Sequence, residues 1–414
     1  LCRILHCSST VQGCVAGRDT VDCWAEAHPQ APGLPRSPIH IDSNFDSGNI
    51  EVVETAASNR ADLRIRKDAG DEHMQWFYFR VDGVRGEDCT FRILNAGEAS
   101  YPKAWEGYRV CTSVDRQVWT RGDTSFENGV LTIAHRPEGQ MQWYAYFAPY
   151  THEQHLDLLA ECQLVDGVTV DRLGATVDGR DLHRLTVGGG PLQFWVIGRQ
   201  HPGESMASWW MEGFVARLLD RDDALSRRLL DRVTVHVVPH MNPDGSIRGH
   251  LRCNAAGANL NREWAAPTIE RSPEVHWTLA AMDASGVDFC LDVHGDEELP
   301  YNFLSGAEGI DGYGTSRLPF LCGVFAAAYE RANPDLQREH GYPVDAPGTA
   351  NMTMCSNAIA GRFQCPAYTL EMPFKDNANA PDPLFGWSPQ RSALLGASSI
   401  DALLHLAEAF EETD

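Results

Sequence analysis

Three strongly apolar runs, Leu192 to Ile197, Val233 to Val238 and Val287 to Val293, constrain this chain's fold more than any other feature. Their length and density of branched and aromatic residues read as buried strands. The first passes through a Pro-Gly turn into Ser205 to Asp220, where Met206, Trp210, Phe214 and Leu218 recur at helical spacing. Buried strands feeding helices through tight turns build an α/β sheet, and ligands in such sheets bind outside the carboxyl ends of the strands. Each run here is followed by polar residues: His201-Pro202-Gly203-Glu204 after the first, His240-Met241-Asn242-Pro243-Asp244-Gly245 after the second and His294-Gly295 after the third.

A His and a Glu separated by two residues on a turn can grip one metal ion from two sides. Zinc accepts that ligand mixture and keeps a position for water when three protein ligands bind. The same four residues also suit a solvated turn, so a third ligand is needed, and His294 at a matching strand end supplies it. A hydrolase built on such a site further requires a base and a cation for developing negative charge. Glu371 lies at the end of the apolar run Ala367-Tyr368-Thr369-Leu370, where a carboxylate is either functional or paired with an Arg. Arg252 and Arg262 are suited by their planar fork to carboxylates, in a site or in a surface ion pair. Asn242-Pro243-Asp244-Gly245 is a strong turn signal.

Upstream, short strand-like runs (Ile50 to Val53, Trp76 to Val81, Thr90 to Leu94, Val130 to Ile133, Trp143 to Phe147) are separated by Gly, Asp and Asn, the pattern of a β-sandwich. After Pro149 strands alternate with helices. The expected organisation is a disordered extension over 1–37, a small antiparallel β-sandwich over 38–148 and an α/β catalytic domain, a mixed sheet flanked by helices, over 149–414. The extension holds four of the 12 cysteines. The other eight form no framework, which fits reduced thiols in a cytoplasm. A formal charge of −23 argues against nucleic acid and anionic membranes as partners. No apolar run reaches the roughly 18 residues of a membrane span.

The ordered set HPGE, NPDG, Arg252, Asn261-Arg262, a strand-terminal His and a strand-borne Glu resembles the zinc metallocarboxypeptidases of the M14 type. Within them the chain is similar to the cytosolic carboxypeptidases, bacterial members in particular. Asn259-Leu260-Asn261-Arg262-Glu263-Trp264 and Thr369-Leu370-Glu371-Met372-Pro373-Phe374 fit that subgroup, as do Asn44-Phe45-Asp46-Ser47-Gly48-Asn49-Ile50 and Gln75-Trp76-Phe77-Tyr78-Phe79. The resemblance runs from about Ile39 onward and implies one zinc per chain on His201, Glu204 and His294. It makes Glu371 the general base, Arg252 the oxyanion stabiliser, Asn261 and Arg262 the holders of the terminal carboxylate, and the C-termini of peptides or proteins the substrate. Two positions depart from the wider family: Asn259 stands where an Asp orients a zinc-binding imidazole, and the loop Ala346 to Pro366 carries no Tyr, leaving only Tyr342 upstream. The subgroup commonly removes C-terminal glutamate, which implies a cation in the pocket. Arg362 is the first candidate, with Lys375 and Arg248 behind it.

Two other functions fit the same residues. One is a zinc amidohydrolase of related fold acting on acyl-amino acids or cell-wall peptides. The other is a non-catalytic binding protein, against which Glu371 beside a full ligand set speaks.

Overall fold

The computed structural model describes residues 39–57 and 59–413. The extension expected over 1–37 lies outside the described residues.

The first ten strands are β1 (His40–Asp42), β2 (Glu51–Ala57), β3 (Arg60–Arg64), β4 (Tyr78–Asp82), β5 (Cys89–Ile93), β6 (Cys111–Ser113), β7 (Thr120–Arg121), β8 (Asp123–Glu127), β9 (Val130–His135) and β10 (Met141–Ala145). They form two five-stranded sheets, ordered β1-β4-β10-β6-β7 and β2-β3-β5-β9-β8. All pairings are antiparallel except β3 with β5, which run parallel. The aromatic face of one sheet meets the other: Phe91 of β5 stands 6.0 Å from Phe79 of β4 and 5.2 Å from Tyr144 of β10, ring centre to ring centre. Alternate residues of β5 are buried, as a strand with one face in a core requires.

Helix α1 (His152–Cys162) opens the α/β part, its N-terminus closed by a capping box between Thr151 and Gln154. There follow β11 (Thr169–Ala175), β12 (Asp181–Gly188), β13 (Leu192–Gly198), α2 (Met206–Leu218), α3 (Ala224–Leu230), β14 (Val233–Val238), α4 (Pro243–Arg248), α5 (Pro273–Ser285), β15 (Phe289–Val293), β16 (Phe303–Ser305), α6 (Leu318–Ala332), α7 (Cys355–Phe363), β17 (Ala367–Glu371) and α8 (Pro389–Thr413). The seven-stranded sheet is ordered β11-β12-β14-β13-β15-β17-β16. Its centre, β14 to β17, is parallel, and β15 and β17 are buried along their whole length. From β13 the chain goes to β14 on one side and then to β15 on the other, so the order reverses around β13. That reversal opens a crevice at the carboxyl ends of β13 and β15.

Over Pro389–Glu411, α8 is long and apolar enough for a membrane span by length and composition, but 61% of that window is buried. It packs on α2 and α6. The crossing with α2 is close enough that a Cβ on Gly213 would lie 1.9 Å from the Ala393 carbonyl oxygen.

Candidate metal centre and catalytic cleft

The turn after β13 begins with backbone strain. Arg199 is a non-glycine residue at φ 59°, in the left-handed region. Its side chain is fully buried, donating from Nε to Pro202 O (2.8 Å) and from Nη1 to Tyr150 O (3.2 Å) and Ser208 Oγ (2.9 Å). These bonds fold the chain back so that His201 and Glu204 face one point. On the adjacent strand Val293 pairs with Gly198, and the next residue, His294, faces the same point.

His201 Nδ1 lies 2.6 Å from Glu204 Oε1, His294 Nδ1 lies 2.8 Å from Glu204 Oε2, and the two Nδ1 atoms are 3.1 Å apart. The opposite ring nitrogens are held elsewhere: His201 Nε2 donates to Asn259 Oδ1 at 3.0 Å, and His294 Nε2 sits 2.9 Å from Asp292 Oδ2. With the ring protons on Nε2, both Nδ1 atoms turn lone pairs toward a carboxylate. Such a set of acceptors, all three residues buried, requires a positive charge between them. Neutral imidazole nitrogen and carboxylate oxygen are donors that zinc takes.

Electrostatics agree. Burial, and next the Arg252 charge, push His201 down to about 3, which keeps the ring neutral. Burial works against the Glu204 charge, but His201 and His294 outweigh it and hold the carboxyl well below its usual range. Burial also opposes charge on His294, while Asp292 and Glu204 outweigh it and raise its pKa. The two carboxylates demand a cation at this ring, and a proton or a metal ion meets that demand.

Glu371 ends β17, next to the strand that carries His294. Leu370 pairs with Val293, and the Leu370 carbonyl accepts from His294 N at 2.8 Å. No Arg pairs with Glu371 among the described residues. Its Oε1 lies 3.3 Å from the Tyr342 hydroxyl, which donates to Asp296 Oδ2 at 2.6 Å, and its Oε2 is buried without a partner. Burial raises the Glu371 pKa far above the ordinary carboxyl value. His294 opposes this, and Glu204, Asp296 and Glu297 add to it.

Arg252 has no ion pair among the described residues. Its guanidinium lies over the Tyr101 ring, 5.5 Å from the centroid. Burial works against its charge, but Tyr101, Glu297, Glu204 and Glu371 around it raise its pKa. Asn261 is buried, and its Oδ1 accepts from Cys355 N at 2.8 Å, while its amide NH2 has no partner among the described residues. Among the described residues, exposed Arg262 bonds only its neighbour's carbonyl, Asn261 O, at 2.6 Å.

Arg362 is not brought to this cleft. It lies near the carboxyl end of α7, which leads into the start of β17, whereas Glu371 ends that strand. Its guanidinium pairs with Asp283 through two bonds of 2.7 Å. Adjacency in sequence does not become adjacency in space because the full length of β17 lies between Arg362 and Glu371. The alternatives are also engaged: Arg248 with Asp178, and Lys375 with the Glu106 carbonyl. The NPDG stretch forms a helix start rather than a free turn. Asn242 Oδ1 accepts from Gly245 N at 3.0 Å, and buried Asp244 pairs with Arg180 at 2.7 Å. Asp292 and Glu297 had no sequence signal beyond lying in or beside an apolar run. Their place appears only in three dimensions, Asp292 through its contact with His294 and Glu297 through its charge acting on Arg252 and Glu371.

Comparison with known proteins agrees with this geometry. Residues 41–147 match the family model of the cytosolic carboxypeptidase N-terminal domain, and residues 153–284 match that of zinc carboxypeptidases. A metallo-carboxypeptidase structure from Burkholderia cenocepacia is 45% identical, with a TM-score of 0.88 over 90% of this chain and 100% of its own. A metallo-carboxypeptidase from Pseudomonas aeruginosa, solved in complex with (2-guanidinoethylmercapto)succinic acid, is 42% identical, with a TM-score of 0.86 over 91% of this chain and 100% of its own. Cytosolic carboxypeptidase 1 of Xenopus laevis is 26% identical over 73% of this chain, which spans only 28% of that longer protein. The chain belongs to the M14 zinc carboxypeptidases, in the group that carries the cytosolic carboxypeptidase N-terminal domain, and is a metallocarboxypeptidase.

Proposed function

We propose that this chain removes single residues from the C-termini of peptides or proteins, with one zinc ion held by His201, Glu204 and His294. Bound zinc supplies a Lewis acid that polarises the scissile carbonyl and brings the pKa of water toward roughly 7. Glu371 takes the proton of the attacking water on its unpartnered Oε2 and passes it to the leaving amine. Arg252, unpaired and held against Tyr101, stabilises the oxygen that becomes negative as the carbonyl turns tetrahedral. The free amide of Asn261 and the unpaired guanidinium of Arg262 hold the substrate's terminal carboxylate. The observation that carries this reading is the convergence of two lone-pair-bearing Nδ1 atoms on the Glu204 carboxylate beside a buried Glu371.

Preference for a C-terminal glutamate rests on resemblance to the subgroup, since Arg362, Arg248 and Lys375 are all engaged. A cytoplasmic location is supported by eight buried cysteines that remain free thiols. The test is mass spectrometry of a peptide library, including peptides that end in Glu, Leu and Lys, before and after digestion. Release of single terminal residues that stops on chelation and returns with zinc is expected. Cleavage only of acyl-amino acids would replace this reading with the amidohydrolase, and zinc binding without any release would replace it with a binding protein.

A further inference from the structure

The loop that carries Arg252 is held mainly from outside the α/β part. Asp68, in the β domain, is 3% exposed and forms no ion pair among the described residues. Its Oδ1 accepts from Leu251 N at 2.6 Å, and its Oδ2 accepts from Arg252 N at 2.7 Å and Cys253 N at 2.9 Å. Three successive amides thus converge on one carboxylate. A buried carboxylate is costly unless its lone pairs are met, and these three donors meet them. The arrangement fixes the Arg252 backbone itself, not just the neighbourhood.

The β domain fixes the side chain as well. Tyr101 lies under the guanidinium and is held by fully buried Gln75, whose Oε1 accepts from Tyr101 N at 2.8 Å and whose Nε2 donates to Tyr101 O at 3.1 Å. The start of the loop is gripped too. Asn49 donates to Gly249 O at 2.8 Å, and Ser47 N donates to Ile247 O at 3.1 Å. The two β-domain motifs around Asn49 and Gln75, which the catalytic chemistry leaves without a task, both act on this one loop.

We propose that Asp68 is a positioning residue for Arg252, and that the β domain thereby forms part of the catalytic apparatus. This rests on the reading of Arg252 as the oxyanion stabiliser. An oxyanion donor contributes only when aimed within a few tenths of an ångström, and misplacement by about 1 Å costs on the order of 100-fold. Asp68→Asn keeps the volume but turns an amide NH2 toward at least one backbone N–H, so the clasp opens.

The experiment is a double-mutant cycle of Asp68→Asn and Arg252→Ala, with steady-state kinetics, zinc content and melting temperature for each protein. Arg252→Ala is expected to lower kcat about 100- to 1000-fold. Asp68→Asn alone is expected to lower kcat about 10- to 100-fold with KM within about threefold and zinc retained. In the Arg252→Ala background the same change is expected to cost less than about threefold, because the group it aims is gone. If the two losses multiply, or if Asp68→Asn leaves kcat intact, the positioning role is wrong. If Arg252→Ala itself leaves kcat intact, it is the oxyanion reading that fails. Should Asp68→Asn not fold, Tyr101→Leu, which removes the stacked ring and keeps the backbone, takes its place in the same cycle with the same criteria.

Discussion

His201 and His294 present their Nδ1 atoms 3.1 Å apart, and each ring has its Nε2 tied to an acceptor, Asn259 in one case and Asp292 in the other. Two such nitrogens beside a carboxylate repel one another unless a cation lies between them. Purified protein is therefore expected to contain one zinc per chain by elemental analysis, and His294→Ala to lose it on dialysis. Full zinc occupancy in that variant would show that the three residues are not the site.

Asn259 is a neutral acceptor where the wider family has a carboxylate. A carboxylate raises the basicity of the imidazole it holds, and such partners are commonly worth 10- to 100-fold in metal affinity. Asn259→Asp is expected to tighten zinc binding about tenfold in competition with a fluorescent chelator. The backbone donor Asn261 N, which shares Asn259 Oδ1 at 3.1 Å, keeps its partner in the variant. Unchanged or weaker affinity would mean that the amide already satisfies His201 fully.

Glu371→Gln keeps volume and removes the base. Fold and zinc content are expected to persist while kcat falls about 10²- to 10⁴-fold. Near-normal kcat would assign the proton transfer to another group, with Glu297, buried and bearing an unpartnered Oε1, next in line.

The cluster of His201, Glu204 and His294 and the strand-borne Glu371 are legible in the sequence as polar residues because each sits at the end of an apolar run. In a parallel sheet all such ends lie on one edge. What the sequence could not show was lateral order. Whether His201 and His294 are neighbours depends on β13 lying between β14 and β15, which no local pattern encodes. The same gap hides the place of Arg362: it is near Glu371 along the chain, yet it lies at the far end of β17 from that residue. Nor does the sequence mark Asp68 as anything but one of many surface-type acids. Its role comes from a contact across 183 residues.

Glu274, at the start of α5, is fully buried. Asn254 Nδ2 donates to its Oε2 at 3.1 Å, and its Oε1 has no partner. Burial pushes its pKa up to about 7. The folded protein therefore holds this proton more tightly than the unfolded chain, so the stabilisation is complete below about pH 4.5 and is lost as pH rises to about 7. The loss totals on the order of 3 kcal/mol. Glu274→Gln, which keeps an acceptor for Asn254 and cannot ionise, is expected to melt close to wild type at pH 4.5 and above it at pH 8. A difference that does not change with pH would show that Glu274 titrates as an ordinary carboxyl.

Arg362 and Asp283 form an exposed ion pair, 52% and 41% accessible in their side chains. Pairs of this kind contribute about 0–1 kcal/mol. Arg362→Ala is therefore expected to shift the melting temperature only slightly. It is also expected to leave the relative kcat/KM for peptides ending in Glu, Leu and Lys within about twofold of wild type, because a guanidinium engaged at the far end of β17 contributes nothing to the transition state at its near end. Among the described residues Arg252 and Arg262 form no ion pair, and the proposed chemistry already uses both. A preference for glutamate in wild-type protein would then have to come from groups drawn in as the substrate binds. A selective loss of activity on the Glu-ending peptide in Arg362→Ala would overturn this placement, since it would require the Asp283 pair to break and the side chain to reach the pocket in the working enzyme.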